Sequence, residues 1–332
     1  MRTPSRVKAT MAFSGLPIRV YLDQNAWIQL ARHHYGKSNS RSDLSPVLTC
    51  VQQHAQARTA SFPLSASHYF EIFKRGDPAA RRRLGHFMAS IAGADRIRDA
   101  TQLLVDEIHT SLSYHYGLAH PPPPQPFGQG LGHLFPEFTY DTPVLAAAIG
   151  AWGRQAIEAV VERDMLMGPS FQLPDHGIAR PDNEISQRHL SFELRTQDQL
   201  RGATDKALAR RVVLAQEALD IMEPMMTFLA DHHVDSAPYR TADGLTRTLL
   251  SLPAKGAITR MRISAHQNPN FRWAIGDLHD LVALGTAAGY CDIVVCEKQW
   301  GSILQRHQKH LQATILTRLR ELPEILIRHG QA

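Results

Sequence analysis

Cysteine is scarce in this 332-residue chain. There are three, Cys50, Cys291 and Cys296, without paired spacings. An odd, unpaired set argues against a disulfide framework and for a reducing cytoplasm. Cys291 and Cys296 bracket an apolar run and read as small buried side chains rather than zinc ligands. No run of about 18 apolar residues occurs, so no membrane span is expected. Residues 1–16 carry Arg2, Arg6 and Lys8 ahead of Met11-Ala12-Phe13, a patch too short for a signal-peptide core. They are expected to form a flexible basic leader. A phosphate-binding glycine fingerprint is also missing. Gly128, Gly130 and Gly132 follow a proline run instead of a strand and are spaced G-x-G-x-G. Histidine is plentiful, at 18 residues, but the adjacent pairs His33-His34 and His232-His233 diverge on a helix and make poor chelates.

Hydrophobic residues make up 43% of the chain and charged residues 20%, the composition of a soluble globular protein, which excludes disorder over most of its length. The formal charge of +5 is unevenly spread. Between Lys74 and Arg98 stand seven basic residues (Lys74, Arg75, Arg81, Arg82, Arg83, Arg96, Arg98) against Asp77 and Asp95, a surplus equal to that of the whole chain. Such a stretch is either a solvated face or a guide for a polyanion. Lys74, Arg75 and Arg82 are spaced to share one helical face, and they are the expected contacts for a nucleic-acid backbone.

The patterning predicts an α/β fold made from both ends of the chain. Ile18–Leu22 reads as a strand ending at Asp23-Gln24-Asn25, followed by a helix from Ala26 to Tyr35. Helices follow at Leu44–Arg58, Ala66–Lys74 (capped by Ser65), Pro78–Ala92 and Asp99–Tyr116. Pro121–Pro124 and the glycines after it predict a boundary or surface loop. Helical stretches are expected at Pro143–Met165, Ser191–Arg201, Thr204–His232 and Thr241–Leu252, with a loop over Gly168–Asn183. The α/β rhythm returns with a helix at Asp277–Ala288, a strand at Asp292–Cys296, a helix at Glu297–His307, a strand at Ala313–Leu316 and a helix at Leu319–Ile327. The expected organisation is therefore one discontinuous domain, 17–117 with 256–330, carrying a helical insertion at 118–255. An amphipathic helix there, Thr204–His232, could serve a protein partner or a homo-oligomer.

Asp23 follows a strand, and strand C-terminal ends are where open α/β sheets bind ligands. Glu71 lies on the helix after the second apolar segment. Asp277 and Asp280 share a helical face, and Asp292 opens a strand. Each also has a structural explanation: Asp23 and Asp277 as helix caps, Asp280 beside a helix dipole, Glu71 as a solvated residue. His68 and His279 each lie beside an acidic motif, as helix residues or phosphate contacts.

Taken together, these segments resemble the PIN-domain nucleases. Ile18-Arg19-Val20-Tyr21-Leu22-Asp23-Gln24-Asn25 is similar to that family's opening strand and Asp-x-Asn. Leu64 to Ile72, with Ser65 six residues before Glu71, resembles the second motif, and Gly276 to Leu281 the third. Ala288 to Lys298 resembles the last acidic strand of PIN-like branches, except that Cys296-Glu297 stands where most relatives have threonine and aspartate. The resemblance implies a PIN-like three-layer fold around a mostly parallel sheet. It also implies a cytoplasmic ribonuclease that hydrolyses RNA with Mg²⁺- or Mn²⁺-activated water, its catalytic and metal-binding carboxylates being Asp23, Glu71, Asp277, Asp280 and Asp292. Asn25 would orient Asp23 or serve as a turn residue. Whether Asp292, Glu297 or neither completes the site stays open. The alternatives are a catalytically inactive PIN-like module that binds nucleic acid or protein, and a nuclease acting on DNA.

Overall fold

A computed structural model describes residues 16–37, 43–119, 121–136, 159–168, 183–202, 205–239 and 241–330. The expected leader, most of the 143–165 helix and the 168–183 loop lie outside the described residues.

Four short parallel strands form the main sheet in the order β2-β1-β5-β6: β1 Ile18–Leu22, β2 Ala60–Ser61, β5 Ile293–Val295 and β6 Thr314–Leu316. Strand alternation sends side chains to two cores. Val20, Leu22, Ile293, Val295 and Leu316 face one, against helices α1 (Gln24–His34), α2 (Ser45–Ala57), α3 (Ala66–Phe73) and α4 (Pro78–Ala92). Tyr21, Val294 and Ile315 face the other, against α11 (Pro253–His266), α12 (Ile275–Tyr290) and α13 (Lys298–Arg306). Helices therefore cover both faces of the sheet, which explains strands apolar on both sides.

From β1 the chain crosses to β2 over one face, while β5 reaches β6 through α13 on the other. The order reverses between β1 and β5, so a crevice opens past their C-terminal ends.

The proline-rich segment departs from expectation. After Pro121–Pro124 the chain forms β4 (Phe127–Gln129), antiparallel to β3 (Asp95–Ile97), and a short helix α6 (Leu131–Leu134) whose leucines enter the first core. Neither strand was legible, because each is three residues long and is stabilised by the other. Residues 121–136 thus pack with the α/β part, and the expected boundary at 255/256 falls inside α11.

A third core joins α5 (Ala100–Tyr116) to α9 (Lys206–Asp231) and α10 (Ala242–Ser251), through Ile108, Leu112, Ile221, Phe228 and Leu249. One face of α9 is thereby used inside the chain, and Leu219, Met222 and Met226 stay exposed. Buried ions fasten α11 to its neighbours. Arg262 donates to Glu193 on α8 (Asn183–Leu200) at 2.8 Å and to Glu217 on α9 at 2.9 Å. Gly285 and Gly289 let α12 approach α11: a Cβ at Gly289 would stand 2.6 Å from the Pro253 carbonyl carbon.

The basic stretch does not form one face. Gly76-Asp77-Pro78 interrupts it: α3 ends at Phe73 and Asp77 caps α4 through the Ala79 N–H at 2.9 Å. Lys74 and Arg82 therefore lie on different elements, which overturns the expected shared face of Lys74, Arg75 and Arg82. Arg81 donates to the Met165 carbonyl at 2.9 Å. Arg96 is 1% exposed and pairs with Glu162, which also accepts from the Tyr69 hydroxyl at 2.6 Å. Removing one member of a buried pair strands the other charge. Glu162→Ala should accordingly lower stability by about 3–5 kcal/mol in denaturant unfolding; a loss below about 1 kcal/mol would show that Arg96 finds water or another acceptor.

Candidate active site

The crevice between β1 and β5 gathers helix N-termini, and acidic residues cap them. Asp23 ends β1 and caps α1, its Oδ1 accepting from the Ala26 N–H at 2.8 Å. Its Oδ2 accepts from the Glu297 N–H, also at 2.8 Å, where α13 begins. One carboxylate thus ties together two helix N-termini, whose positive dipole ends favour it. Asn25 donates its amide to Glu297 Oε1, so it orients Glu297 rather than Asp23. At the start of α12, Asp277 accepts from the Ala274 N–H at 2.8 Å and from Gln299 Nε2 at 3.3 Å.

Glu71 reaches the same crevice from α3. Lys74 Nζ donates to its Oε1 at 2.7 Å, and His279 Nδ1 stands 3.7 Å from that oxygen, a polar contact longer than a hydrogen bond. With His279 and Lys74 beside it, Glu71 is held down to about pKa 2 despite partial burial. Lys74, expected on the nucleic acid, is therefore paired inside the site.

Asp280 shows most directly that the carboxylates converge. Burial, then the charges of Asp23, Glu71, Asp277 and Glu297, raise its carboxyl from 3.8 to about 7. Asp23 rises to about 6, chiefly through burial with the charge of Glu297 added, and against the opposing Ala26 N–H bond. Asp277 rises as well, again chiefly by burial.

Asp292 does not join them. It precedes β5, at the opposite end of the strand from Glu297, and the three strand residues between span about 10 Å. Its Oδ2 accepts from the Arg19 N–H at 2.7 Å, and its backbone N–H donates to the Arg19 carbonyl. Asp292 registers β5 on β1, and Glu297 takes the place in the cluster that was left open for either.

His68 is likewise structural. Buried at 1% exposure, it accepts at Nδ1 from the Ser65 N–H at 2.9 Å, which leaves the proton on Nε2 to donate to the Leu22 carbonyl at 2.9 Å. Burial lowers it to about pKa 4, so it stays neutral. It anchors α3, and hence Glu71, to the residue before Asp23.

Do these residues suit a divalent cation? Among the described residues, no three His, Cys, Asp or Glu side chains stand close enough to hold an ion without adjustment. In kind they fit: all donors are carboxylate oxygens, and their crowding holds a proton on Asp280 that a cation would displace.

The raised acids set a pH signature. Between about pH 4 and 7 the native state keeps protons on Asp23 and Asp280 that the unfolded chain has released, so stability falls as pH rises through that window. Glu71 acts oppositely, contributing stability that is lost only as pH falls towards about 2. Chelator-treated protein should melt about 3 °C or more lower at pH 7.5 than at pH 5. Mg²⁺ or Mn²⁺ should restore more at pH 7.5, and Asp280→Asn should flatten both effects. Melting that ignores pH and metal alike would mean the carboxylates are not coupled in solution. Among the described residues no helix is long and apolar enough to cross a membrane. Comparison of the chain with protein-family profiles, curated proteins and solved structures gives no match.

Proposed function

We propose that the chain is a PIN-like, Mg²⁺- or Mn²⁺-dependent ribonuclease whose site is Asp23, Glu71, Asp277, Asp280 and Glu297. The observation that carries this is the gathering of carboxylates from three separate chain regions at the switch point of a parallel sheet, with Asp280 raised to about 7 by the other four together with burial. A structural role explains Asp23 and Asp277 as caps, but it does not explain why Glu71 and Asp280 face them across the crevice.

Asp23, Asp277, Asp280 and Glu297 are the residues that would hold the ions. Bound there, Mg²⁺ or Mn²⁺ would supply charge stabilisation at phosphorus and an acidified water. The protein's own part is positional. Asp23 is fixed by two backbone N–H groups, Glu297 by Asn25 and Asp277 by Ala274, so the oxygens they leave free keep fixed directions. Glu71, charged down to about pH 2, pins Lys74 and His279 at the rim, two donors placed for a phosphate oxygen. In the reaction water adds to phosphorus, the P–O bond to the leaving oxygen breaks, and that oxygen takes up a proton. The competing reading, an inactive nucleic-acid-binding module, draws on Asp23 spending both oxygens on backbone N–H groups.

Purified protein incubated with RNA and Mg²⁺ or Mn²⁺ should cleave it, stop with EDTA, and lose about 100-fold or more in rate in Asp23→Asn and Asp280→Asn. Asp292→Asn should retain cleavage once its fold is verified. Metal-independent activity, or equal rates in the Asp23 variant, would sink the proposal. Binding without cleavage supports the inactive module, and preference for a DNA strand redirects the substrate.

A further inference from the structure

Beyond Glu71 the surface changes sign. Along α1, Ile28, Ala31 and Arg32 face the turn that carries Arg75 and the first turns of α4, where Arg83 and Leu84 lie. Between them is a cavity of about 130 Å³ with an aliphatic floor, and Lys37 stands at its rim. Four cations thus surround one small space: Arg32, Lys37, Arg75 and Arg83. None of them makes an ion pair among the described residues.

The nearby carboxylates do not neutralise them. Glu71 lies near Arg75 but is already held by Lys74. Asp77, near Arg83 and Lys37, caps α4. Burial, then the like charge of Arg32, lowers the proton affinity of Arg75, which is the mark of guanidinia crowded without an anion. Their planar forks match phosphate oxygens two at a time, and the aliphatic floor suits the sugar-facing side of a nucleotide.

We propose that this cavity is a phosphate subsite, which holds one phosphate of the strand whose other end runs past Glu71 into the acidic crevice. The identity of that strand rests on the nuclease reading, whereas anion binding does not. Arg75 and Arg83 carry it, in place of the Lys74 and Arg82 suggested by spacing. The phosphate is either a strand's terminal monoester or an internal diester, both of which present the same oxygens to the guanidinia.

The test is binding in EDTA by fluorescence anisotropy, using one RNA sequence with a 5′-phosphate or a 5′-hydroxyl. Arg75→Ala/Arg83→Ala should weaken binding about tenfold or more near 0.1 M salt. The slope of log affinity against log salt should flatten by roughly 1.4 for two lost contacts. Inorganic phosphate should compete with the wild type and not with the variant. If the 5′-phosphate binds tighter and the variant erases only that advantage, the cavity takes a strand end; if both RNAs weaken equally, it takes an internal phosphate. Arg75→Lys/Arg83→Lys serves where the alanine pair misfolds, and should keep the salt slope while weakening binding. A folded alanine variant with unchanged affinity and slope overturns the subsite. RNA held in this way but never cut with Mg²⁺ or Mn²⁺ defeats the nuclease reading alone, and metal-dependent cutting with full binding by the variant defeats the subsite alone.

Discussion

The carboxylate of Asp23 is the joint on which the site depends. Four chain ends meet where β1 and β5 stop, and α1 and α13 leave from there towards opposite faces of the sheet. Diverging helices expose unpaired N–H groups at a shared point. Asp23 satisfies one from each helix, through Ala26 and Glu297. That arrangement tolerates negative charge in a half-buried crevice and so lets further acids gather. Capping and cation binding are not rival uses of such a group. A carboxylate has about four lone-pair directions, and two N–H donors leave the others open.

Much of this could be read in the sequence, and the failures have physical causes. The helices at 24–34, 78–92 and 275–290 follow from caps and 3.6-residue periodicity, and the α1–α4 and α12–α13 borders fell within a few residues. Asp23, Glu71, Asp277 and Asp280 were found because each lies on an element whose direction is set locally. Asp292 was misassigned because nearness in sequence to Glu297 hid the polarity of the strand between them: a residue before a parallel strand and one after it lie at opposite ends. The break at Gly76-Asp77-Pro78 was legible as a cap followed by a proline, and a single charge count over 74–98 masked it. Arg96 was not legible, since its partner Glu162 is distant in the chain. Nor was the cavity at Arg32, Lys37, Arg75 and Arg83, which exists only once α1 and α4 pack.

Packing fixes the distance between the acids in a way that pattern cannot. Glu71 sits on α3, an element of eight residues, too short to hold its own orientation. His68, one turn earlier, supplies the constraint. Its two ring nitrogens join the Ser65 N–H at the start of α3 to the Leu22 carbonyl at the end of β1. Tyr21 adds a hydroxyl contact to Ser65 Oγ at 2.9 Å. The neutral imidazole is suited to this, because a charged ring so deeply buried would oppose the fold and lose its acceptor. α3 is therefore registered against the strand that delivers Asp23.

Within that frame the acids are not equivalent. Glu71 and Asp280 share one crevice yet are pushed in opposite directions, to about 2 and about 7. The difference lies in their neighbours: Glu71 has Lys74 and His279, while Asp280 faces four carboxylates and has no hydrogen-bonded cation of its own among the described residues. At neutral pH without metal, Glu71 is thus permanently charged and Asp280 exchanges a proton. Environments that separate two carboxyls in this way assign them different work. The permanent charge organises the rim, and the labile position is where a divalent cation gains most, because its arrival removes both the proton and the repulsion that held it. The strong dependence of the site on cation and pH therefore follows from where Lys74 and His279 stand, on one side of the cluster only.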